Sequence, residues 1–368
     1  MARVVIKLGS SVVADDTGEL RQDALARVCD AAAALHEQGG EVVLVSSGAI
    51  ARGMRVMGLG QRPSTVEDLQ AASAVGQGKL YRVYDELLRE RGVTSAQVLL
   101  TFFDMSARTH YLNARQTLTR LLQWRVVPVI NENDTTATDE ISFGDNDFLA
   151  AQVAVLVGAD QLVLLSDVDG LFTADPRSDP AARLLDEVSD FAQLEPLQIG
   201  HATSPLGSGG MRSKVVAADM ATAAGITTVI CSGLRAGALE SVLAGDREGT
   251  RFLPRESRYS SFKLWLKYAK PARGTLLIDA GAARAVRESS ASLLPVGVVD
   301  VEGSFDAGDA VRIAQRLDGG VARALAKGIC NYSAAELREV MGMKTGAVRE
   351  ILPRATEEVV HRDYLVVD

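Results

Sequence analysis

The amino-terminal two thirds of the chain repeat one alternation: a short run rich in valine and isoleucine, a turn of small or polar residues, and a longer stretch of alanine and leucine at helical spacing. The apolar runs are nearly continuous rather than alternating, which is typical of parallel strands covered by helices on both faces. We therefore predict strands at Arg3–Lys7, Glu41–Val45, Ala96–Leu100, Val126–Ile130, Gln161–Leu165 and Thr227–Ile230.

The stretches between these runs predict helices at Gln22–Gln38, Leu69–Glu90, Ala107–Gln123, Asp147–Val157 and Met211–Ala224. Strands and helices in this order predict an α/β fold, an open and mostly parallel αβα sandwich. In such sheets small ligands bind beyond the carboxyl ends of the strands, where the chain enters the next helix. Chemically active residues are therefore expected in those turns.

The sequence changes character near residue 252. Residues 254–270 hold five basic residues and one acidic residue among several aromatic side chains, and short apolar runs between glycines follow. Strands are predicted at Gly274–Ile278, Gly297–Val301, Ala310–Ala314 and Gly320–Ala326, and one short helix at Ser333–Val340. We predict a domain of residues 1–252, a basic linker of residues 253–272 and a small β-barrel-like domain of residues 273–368.

Charge and cysteine content narrow the possible functions. The chain has 39 basic and 47 acidic residues and a net charge of −8, so no overall positive field attracts nucleic acid or an anionic membrane. Three widely spaced cysteines suit buried thiols in a reducing compartment better than a disulfide framework or a metal site. No signal peptide is recognised, and no run approaches the ~20 apolar residues that span a bilayer. We expect a cytoplasmic protein whose main partner is neither a membrane nor a nucleic acid.

Two lysines stand at turns that suit phosphate. Lys7 ends the first predicted strand just before a glycine, and GSGGMRSK places small residues ahead of a helix and ends on Lys214. Backbone N–H groups at a helix start bind phosphate, and two lysines at one sheet edge neutralise charge on a transferring phosphoryl group. A surface lysine and a flexible glycine loop are the structural alternatives.

Amide and acid side chains cluster after the fourth predicted strand. Asn131 and Asp134 lie in NENDTTATDE, and Asn146 and Asp147 follow in GDND before a helix. These side chains are suited to bind an amino group and to hold the two lysines in position. Clustered Asn and Asp residues are also ordinary turn formers and helix caps. SSGAI, residues 46–50, offers a hydroxyl and successive N–H donors that suit a carboxylate, or it is simply a helix start at a glycine.

Two other chemistries are disfavoured. The four histidines, His36, His110, His201 and His361, are scattered, and none is followed by a Ser or Cys partner motif of a nucleophile triad. The GxGxxG fingerprint is absent, since LGLGQR does not directly follow a strand, so a dinucleotide site has little support. A small-molecule kinase is the leading hypothesis.

These motifs, in this order, resemble those of the glutamate 5-kinases in the amino acid kinase superfamily. The similar segments are VIKLGSSV, VLVSSGAIARG, VVPVINENDTTAT, FGDNDFLAAQVA, LLSDVDGLFTADPR and GSGGMRSKVVAADMATAAGI. Nearer the end, SLLPVGVVDVEGSF and HRDYLVV resemble the PUA domain that many bacterial members append. The resemblance covers nearly the whole chain.

The resemblance implies ATP-dependent phosphorylation of the γ-carboxylate of L-glutamate, the first step of proline biosynthesis, with Mg²⁺ bridging the ATP phosphates. By position, Lys7 and Lys214 correspond to the catalytic lysines and Asp147 to the aspartate that orients them. The corresponding substrate-binding residues are Ser47, Gly48, Ala49, Asn131, Asp134 and Asn146. The corresponding nucleotide-binding residues are Lys7, Gly9, Ser166, Asp167, Ser208, Gly209, Gly210, Met211, Arg212, Ser213 and Lys214. No protein ligand of Mg²⁺ is assigned.

The resemblance also implies feedback inhibition by L-proline and a homo-oligomer, a dimer or tetramer, built through the kinase domain. Another amino acid or acyl-phosphate kinase, such as an aspartate or acetylglutamate kinase, is one alternative, against which NENDTTAT and the PUA-like end argue. An RNA-binding or RNA-modifying protein is the other, and the basic aromatic linker favours it. The carboxyl-terminal domain disfavours it, since residues 271–368 hold twelve basic and fourteen acidic residues.

Overall fold

The structure is a computed structural model of the 368-residue chain. The residues that it describes are 2–101, 104–105, 108–136, 146–176, 178–194, 210–255, 263, 266–267, 272–288, 291–316, 322–352 and 356–367. The chain divides into two compact units, Met1–Arg258 and Tyr259–Asp368.

An eight-stranded sheet forms the centre of the first unit. Its strands in chain order are β1 (Arg3–Leu8), β2 (Glu41–Val45), β3 (Ser95–Leu100), β4 (Val127–Glu132), β5 (Gln161–Ser166), β6 (Glu187–Val188), β7 (Thr227–Ser232) and β8 (Thr250–Phe252). In space they follow the order β3-β4-β2-β1-β5-β7-β8-β6, and every neighbouring pair is parallel except β7 with β8. The predicted mostly parallel α/β fold is confirmed.

Helices cover this sheet. They are α1 (Ser10–Val13), α2 (Gln22–Glu37), α3 (Ala49–Met57), α4 (Val66–Glu90), α5 (Arg108–Gln123), α6 (Asn146–Val157), α7 (Met211–Ala223) and α8 (Ala238–Ala244). Every residue of β1 after Arg3 and of β2 after Glu41 is buried. Because successive side chains of a strand point to opposite faces, burial of all of them means that both faces are covered.

The observed strand ends differ from the six predicted ones by at most two residues. Helix α4 begins three residues before the predicted Leu69, because the Thr65 hydroxyl caps it and accepts a hydrogen bond from the Asp68 N–H at 3.3 Å. The short elements α1, α3, α8, β6 and β8 are not among the predicted ones. Of these, α1, α8, β6 and β8 have only two to seven residues, too few to show a periodic pattern, whereas the nine-residue α3 follows the SSG turn, where a helix start was one of two interpretations.

Helices α3 and α4 approach each other through two glycines. A Cβ atom on Gly53 would lie 1.7 Å from the carbonyl oxygen of Ala72, and one on Gly76 would lie 1.9 Å from that of Ala49. Any side chain at either position would therefore separate the helices. Since α3 begins at Ala49, directly after the SSG turn, the contact ties this turn to the middle of α4.

A five-stranded sheet forms the second unit, in the order β10-β9-β11-β12-β13. The strands are β9 (Ala272–Ile278), β10 (Val298–Gly303), β11 (Ala310–Arg316), β12 (Ala322–Ile329) and β13 (Leu365–Val367). Strands β9 and β11 are parallel, and the other pairs are antiparallel. The unit has its own buried core, which includes Leu276, Ile313, Leu325 and Val360.

The second unit has more helix than predicted. Its helices are α9 (Ala280–Glu288), α10 (Ala334–Val340) and α11 (Thr345–Ile351), so the expectation of a single helix is wrong. Helix α10 is the predicted one, and its start is marked by a capping box between Ser333 and Glu336. Helices α9 and α11 have only nine and seven residues, and each contains a glycine, which disfavours helix. None of the described helices in either unit is both long and apolar enough to cross a membrane.

The close contact of α3 and α4 at Gly53 and Gly76 predicts how a methyl group added in α4 changes the free energy of unfolding. Gly76→Ala should lower the free energy of unfolding by about 1–3 kcal/mol or more, because the methyl overlaps a backbone oxygen. Gly78→Ala, two residues along the same helix with open space at its Cβ, should instead raise it by about 0.5–1 kcal/mol. Denaturant titration of both variants measures the difference, and equal effects would contradict the packing argument.

Candidate active site

A carboxylate between two lysines lies at the carboxyl end of β1. Asp147, the second residue of α6, places Oδ1 2.5 Å from Nζ of Lys7 and Oδ2 3.0 Å from Nζ of Lys214. Lys7 is the penultimate strand residue, and Lys214 is in the first turn of α7. The structure thus brings three residues, distant in sequence and all singled out as catalytic, to one place.

These three groups are almost completely shielded from solvent. The side chains of Lys7, Asp147 and Lys214 are 1%, 0% and 8% exposed. Burying charge costs free energy unless it is paired, and one carboxylate offsets only one of two ammonium groups. These three groups by themselves therefore carry one net positive charge, which suits an incoming anion.

The start of α7 adds polar groups to this centre. The hydroxyl oxygen of Ser213 lies 2.9 Å from Oδ2 of Asp147 and 2.7 Å from the carbonyl oxygen of Gly210, the residue before the helix. Met211 and Arg212 form its first two positions. N–H groups at a helix start lack partners within the helix and attract anions. Ser208 and Gly209, predicted in the same segment, lie outside the described residues.

Gly9 keeps the space beside Lys7 open. A Cβ atom at this position would lie 3.9 Å from Nζ of Lys7 and 3.2 Å from the carbonyl oxygen of Leu165. The N–H of Gly9 donates to that same carbonyl at 3.3 Å, which fixes the turn between β1 and α1 against β5. A ligand can therefore approach the ammonium group along backbone rather than past a side chain.

A chain of amide groups forms a second cluster next to the first. The Asn146 Nδ2 group lies 2.7 Å from the carbonyl oxygen of Ser46, 2.8 Å from Oδ1 of Asn131 and 3.2 Å from Oγ of Ser47. The Nδ2 group of Asn131 in turn donates a hydrogen bond to Oε1 of Gln77 at 2.6 Å, and the row of hydrogen-bonded amides ends there. Since Asn146 and Asp147 are consecutive, the amide cluster and the lysine centre meet at the first turn of α6.

The turn after β2 supplies the other side of this cluster. Gly48 caps α3 with φ of +96°, a conformation that L side chains rarely adopt, and Ala49 begins the helix. The Ser46 Oγ atom lies 2.9 Å from the hydroxyl oxygen of the fully buried Tyr84, and its own hydroxyl donates to the carbonyl oxygen of Ser47 at 3.0 Å. Ser47 is therefore held at two atoms, since its carbonyl oxygen accepts from Ser46 and its Oγ accepts from Asn146.

Asp134 shares no described hydrogen bond with either cluster. Its Oδ2 accepts a hydrogen bond from the hydroxyl of Ser73 at 2.5 Å. Burial raises the pKa of the Asp134 carboxyl and outweighs the opposing effects of the Ser73 hydrogen bond and of the positive charge of Arg62. A carboxylate that is costly to bury is suited to a cationic ligand group, which would offset that cost.

Two further predicted residues lie at the end of β5. Ser166 is buried, its carbonyl oxygen accepts from the N–H of Gly233 at 2.8 Å, and its hydroxyl donates to the exposed Asp167 at 3.2 Å. They lie at the same sheet edge as Lys7, because β1 and β5 are parallel neighbours. Neither contacts the lysine centre through a described hydrogen bond.

Helix α4 makes three side-chain hydrogen bonds to the site that the sequence does not predict. Ser73, Gln77 and Tyr84 reach Asp134, Asn131 and Ser46 respectively. The available signal is the spacing of four and seven residues, which places three polar side chains on one helix face. That face is otherwise buried and apolar or small, with Ala72, Gly76, Leu80 and Leu88.

The cysteines take no part in the site. Cys29, Cys231 and Cys330 are all free and buried. Burial raises the pKa of Cys29 and of Cys231 to about 12 and that of Cys330 to about 11, so the thiols stay protonated and poorly nucleophilic at neutral pH. This agrees with the sequence argument against covalent catalysis.

Comparison with known proteins shows which families this chain matches. The family model described as Amino acid kinase family matches residues 2–232, and that of the PUA domain matches residues 274–352. The solved UMP kinase of Bacillus anthracis is more distant, with 18% identity and a TM-score of 0.48 over 68% of this chain and 95% of that one.

Whole-length relatives are closer. The glutamate 5-kinase of Burkholderia vietnamiensis is 46% identical over 366 residues, covering 99% of this chain and 97% of the relative. Those of Synechococcus sp. and Moorella thermoacetica are 45% identical over 99% of this chain, and 98% and 96% of their own lengths are covered. The chain belongs to the amino acid kinase family and, within it, to the glutamate 5-kinases.

The raised pKa of Asp134 predicts a variant that is more stable than the native chain. Asp134→Asn should increase the melting temperature at about pH 7, because the amide keeps the Ser73 hydrogen bond without burying a charge. The folded chain holds the Asp134 proton more tightly than the unfolded chain, so native stability falls as pH rises through the raised pKa. The advantage of the variant should therefore shrink as pH falls through that pKa. Thermal melts across a pH series measure it, and a variant less stable at every pH would contradict it.

Proposed function

We propose that this chain transfers the γ-phosphoryl group of ATP to the γ-carboxylate of L-glutamate and releases ADP, the first step of proline biosynthesis. A carboxylate oxygen of glutamate forms a bond to the γ-phosphorus, and the bond from that phosphorus to the β,γ-bridging oxygen breaks. The names of the relatives support the substrates, and the buried centre of Lys7, Asp147 and Lys214 carries the chemical argument.

Charge neutralisation is the main requirement of this reaction, because both reactants are anions. The surplus positive charge of the two lysines offsets negative charge on the phosphoryl oxygens as it passes between donor and acceptor. Asp147 prevents the ammonium groups from repelling each other and fixes their direction. No strong general base is needed, since the glutamate carboxylate is already ionised at neutral pH.

The acceptor occupies the amide cluster in this proposal. Ser47 and the N–H groups of Gly48 and Ala49 suit a carboxylate, while Asp134 and Oδ1 of Asn146 suit the α-ammonium group. Asn131 contributes by holding Asn146 in place. The burial of Asp134 supports this, because an ammonium group would offset the cost of its buried charge.

In this proposal the nucleotide binds on the other side of Lys7. Gly9 leaves room for phosphate, Gly210 to Lys214 form the helix start that binds phosphate, and Ser166 and Asp167 serve the nucleoside. Ser208 and Gly209 are assigned to the same phosphate site by the family resemblance. The described residues include no group of three or more His, Cys, Asp or Glu that could hold a metal ion, and both Asp147 oxygens contact lysines. Mg²⁺ would enter the site with ATP and would supply further charge neutralisation there, and no protein ligand is assigned to it.

Further properties are carried over from the family resemblance. We expect a kinase domain of residues 1–252, a basic linker of residues 253–272 and a PUA-like domain of residues 273–368. We also expect a homo-oligomer formed through the kinase domain and feedback inhibition by L-proline. Three free, buried cysteines support a reducing compartment, the cytoplasm.

A substrate panel tests the function. ADP release is measured with L-glutamate, L-aspartate and N-acetyl-L-glutamate, each with and without L-proline, and hydroxylamine traps any acyl phosphate as a hydroxamate. Hydroxamate that appears only with glutamate supports the proposal. Turnover only with aspartate or N-acetylglutamate, or no turnover with glutamate, would overturn it.

The two lysines give the mechanistic prediction. Lys7→Ala and Lys214→Ala should each lower kcat by roughly 10²-fold or more, as loss of one stabilising donor does, with little change in the glutamate KM. Lys79→Ala removes an exposed lysine of α4 and serves as the matched control. Steady-state kinetics measure the three variants, and unchanged turnover in either of the first two would refute the assigned role.

A further inference from the structure

Helix α4 presents a row of three polar side chains to the predicted acceptor pocket. Ser73 and Gln77 lie one turn apart and Tyr84 lies two turns further on, so all three share one face. Each contacts a different segment around the pocket, and none belongs to the predicted set of substrate-binding residues. Gln77 is the most informative of the three, because it ends the amide chain.

The direction of each amide in this chain is set by a backbone group. The Oδ1 atom of Asn131 accepts a hydrogen bond from the N–H of Glu132 at 3.0 Å, and an N–H can only donate. The Nδ2 group of Asn131 is therefore directed to residue 77, where it requires an acceptor. Oε1 of Gln77 supplies it at 2.6 Å.

The same logic fixes the other end of the chain. The Asn146 Nδ2 group lies 2.7 Å from the carbonyl oxygen of Ser46, which can only accept, so the NH₂ group must lie on that side. Within the described part of the chain, the buried Oδ1 atom of Asn146 has no hydrogen-bond partner. The chain that starts at Gln77 thus ends on an acceptor that no described protein group uses.

We propose that Gln77 is a positioning residue for the amino acid acceptor. By accepting from Nδ2 of Asn131 it fixes the position of that side chain, whose Oδ1 accepts from Asn146. Gln77 thereby keeps Asn146 in the position that leaves its Oδ1 for the α-ammonium group of the substrate. This inference rests on the proposed function, because glutamate brings a cationic hydrogen-bond donor to the pocket. Gln77 has no described contact with Lys7, Asp147 or Lys214, so its effect falls on acceptor binding and not on phosphoryl transfer.

The test removes the acceptor at position 77 and keeps the side-chain length. Gln77→Met should raise the glutamate KM roughly fivefold to tenfold, the usual effect of losing one partly buried hydrogen bond, with kcat and the ATP KM within about twofold of native. Calorimetric titration with glutamate in the absence of ATP should give a Kd raised by the same factor. Gln77→Glu retains an acceptor and should lie closer to native than Gln77→Met does.

Two comparisons separate positioning from a general structural effect. Tyr81→Phe, on the same helix, removes a hydroxyl that lies 3.1 Å from Oγ of Ser95 at the opposite end of β3, and it should leave the glutamate KM unchanged. In an Asn131→Ala background, Gln77→Met should add little, because the group through which it acts is absent.

Three outcomes would overturn the inference: a native glutamate KM in Gln77→Met, an equal increase in both backgrounds, or an equal increase in Tyr81→Phe. Failure of the proposed function is distinguishable, because the unsubstituted chain would then neither bind nor phosphorylate glutamate. If the unsubstituted chain does both and Gln77→Met matches it, only the role of Gln77 fails.

Discussion

The carboxylate of Asp147 is the group on which the arrangement of the site depends. Two ammonium groups this close together, with little water between them, would repel each other strongly. One carboxylate with a lysine on each oxygen offsets that repulsion, and the three groups by themselves carry one net positive charge. The three residues come from β1, α6 and α7. The packing of these three elements against one another therefore determines where the two ammonium groups lie.

The two sides of the proposed site differ in their charged groups. The lysine centre has two ammonium groups and one carboxylate, whereas the proposed acceptor side has the half-buried carboxylate of Asp134, near the positive charge of Arg62, and the Oδ1 atom of Asn146. An amino acid with a side-chain carboxylate has the complementary polarity, with a cation at one end and an anion at the other. The net charge of −8 excludes a generally electropositive surface, but two buried lysines still lie together at one edge of the sheet in this acidic chain.

Much of the lysine centre could be predicted from sequence, whereas the supporting contacts could not. A lysine at a strand end, an aspartate in the first turn of a helix and a lysine after a glycine-rich loop all converge, because parallel strands share one carboxyl edge. Ser73, Gln77 and Tyr84 look like ordinary residues of a long helix. Which face of α4 meets the pocket is decided by the crossing with α3 at Gly53 and Gly76, a tertiary contact with no local sequence signature. The helices α9 and α11 of the second unit escape prediction for a related reason. Helices this short are marginal on their own and depend on tertiary packing for their stability.

The long sequence separations inside the site also constrain the order in which it can form. Asn146 bonds a residue 100 positions earlier, and Asp147 bonds a lysine 67 positions later. During synthesis, the carboxylate of Asp147 and the ammonium group of Lys7 can meet long before Lys214 has left the ribosome. The second ammonium group joins this pair only when α7 packs beside α6. A chain that stops short of α7 would therefore hold the Lys7–Asp147 pair without the second lysine of the centre.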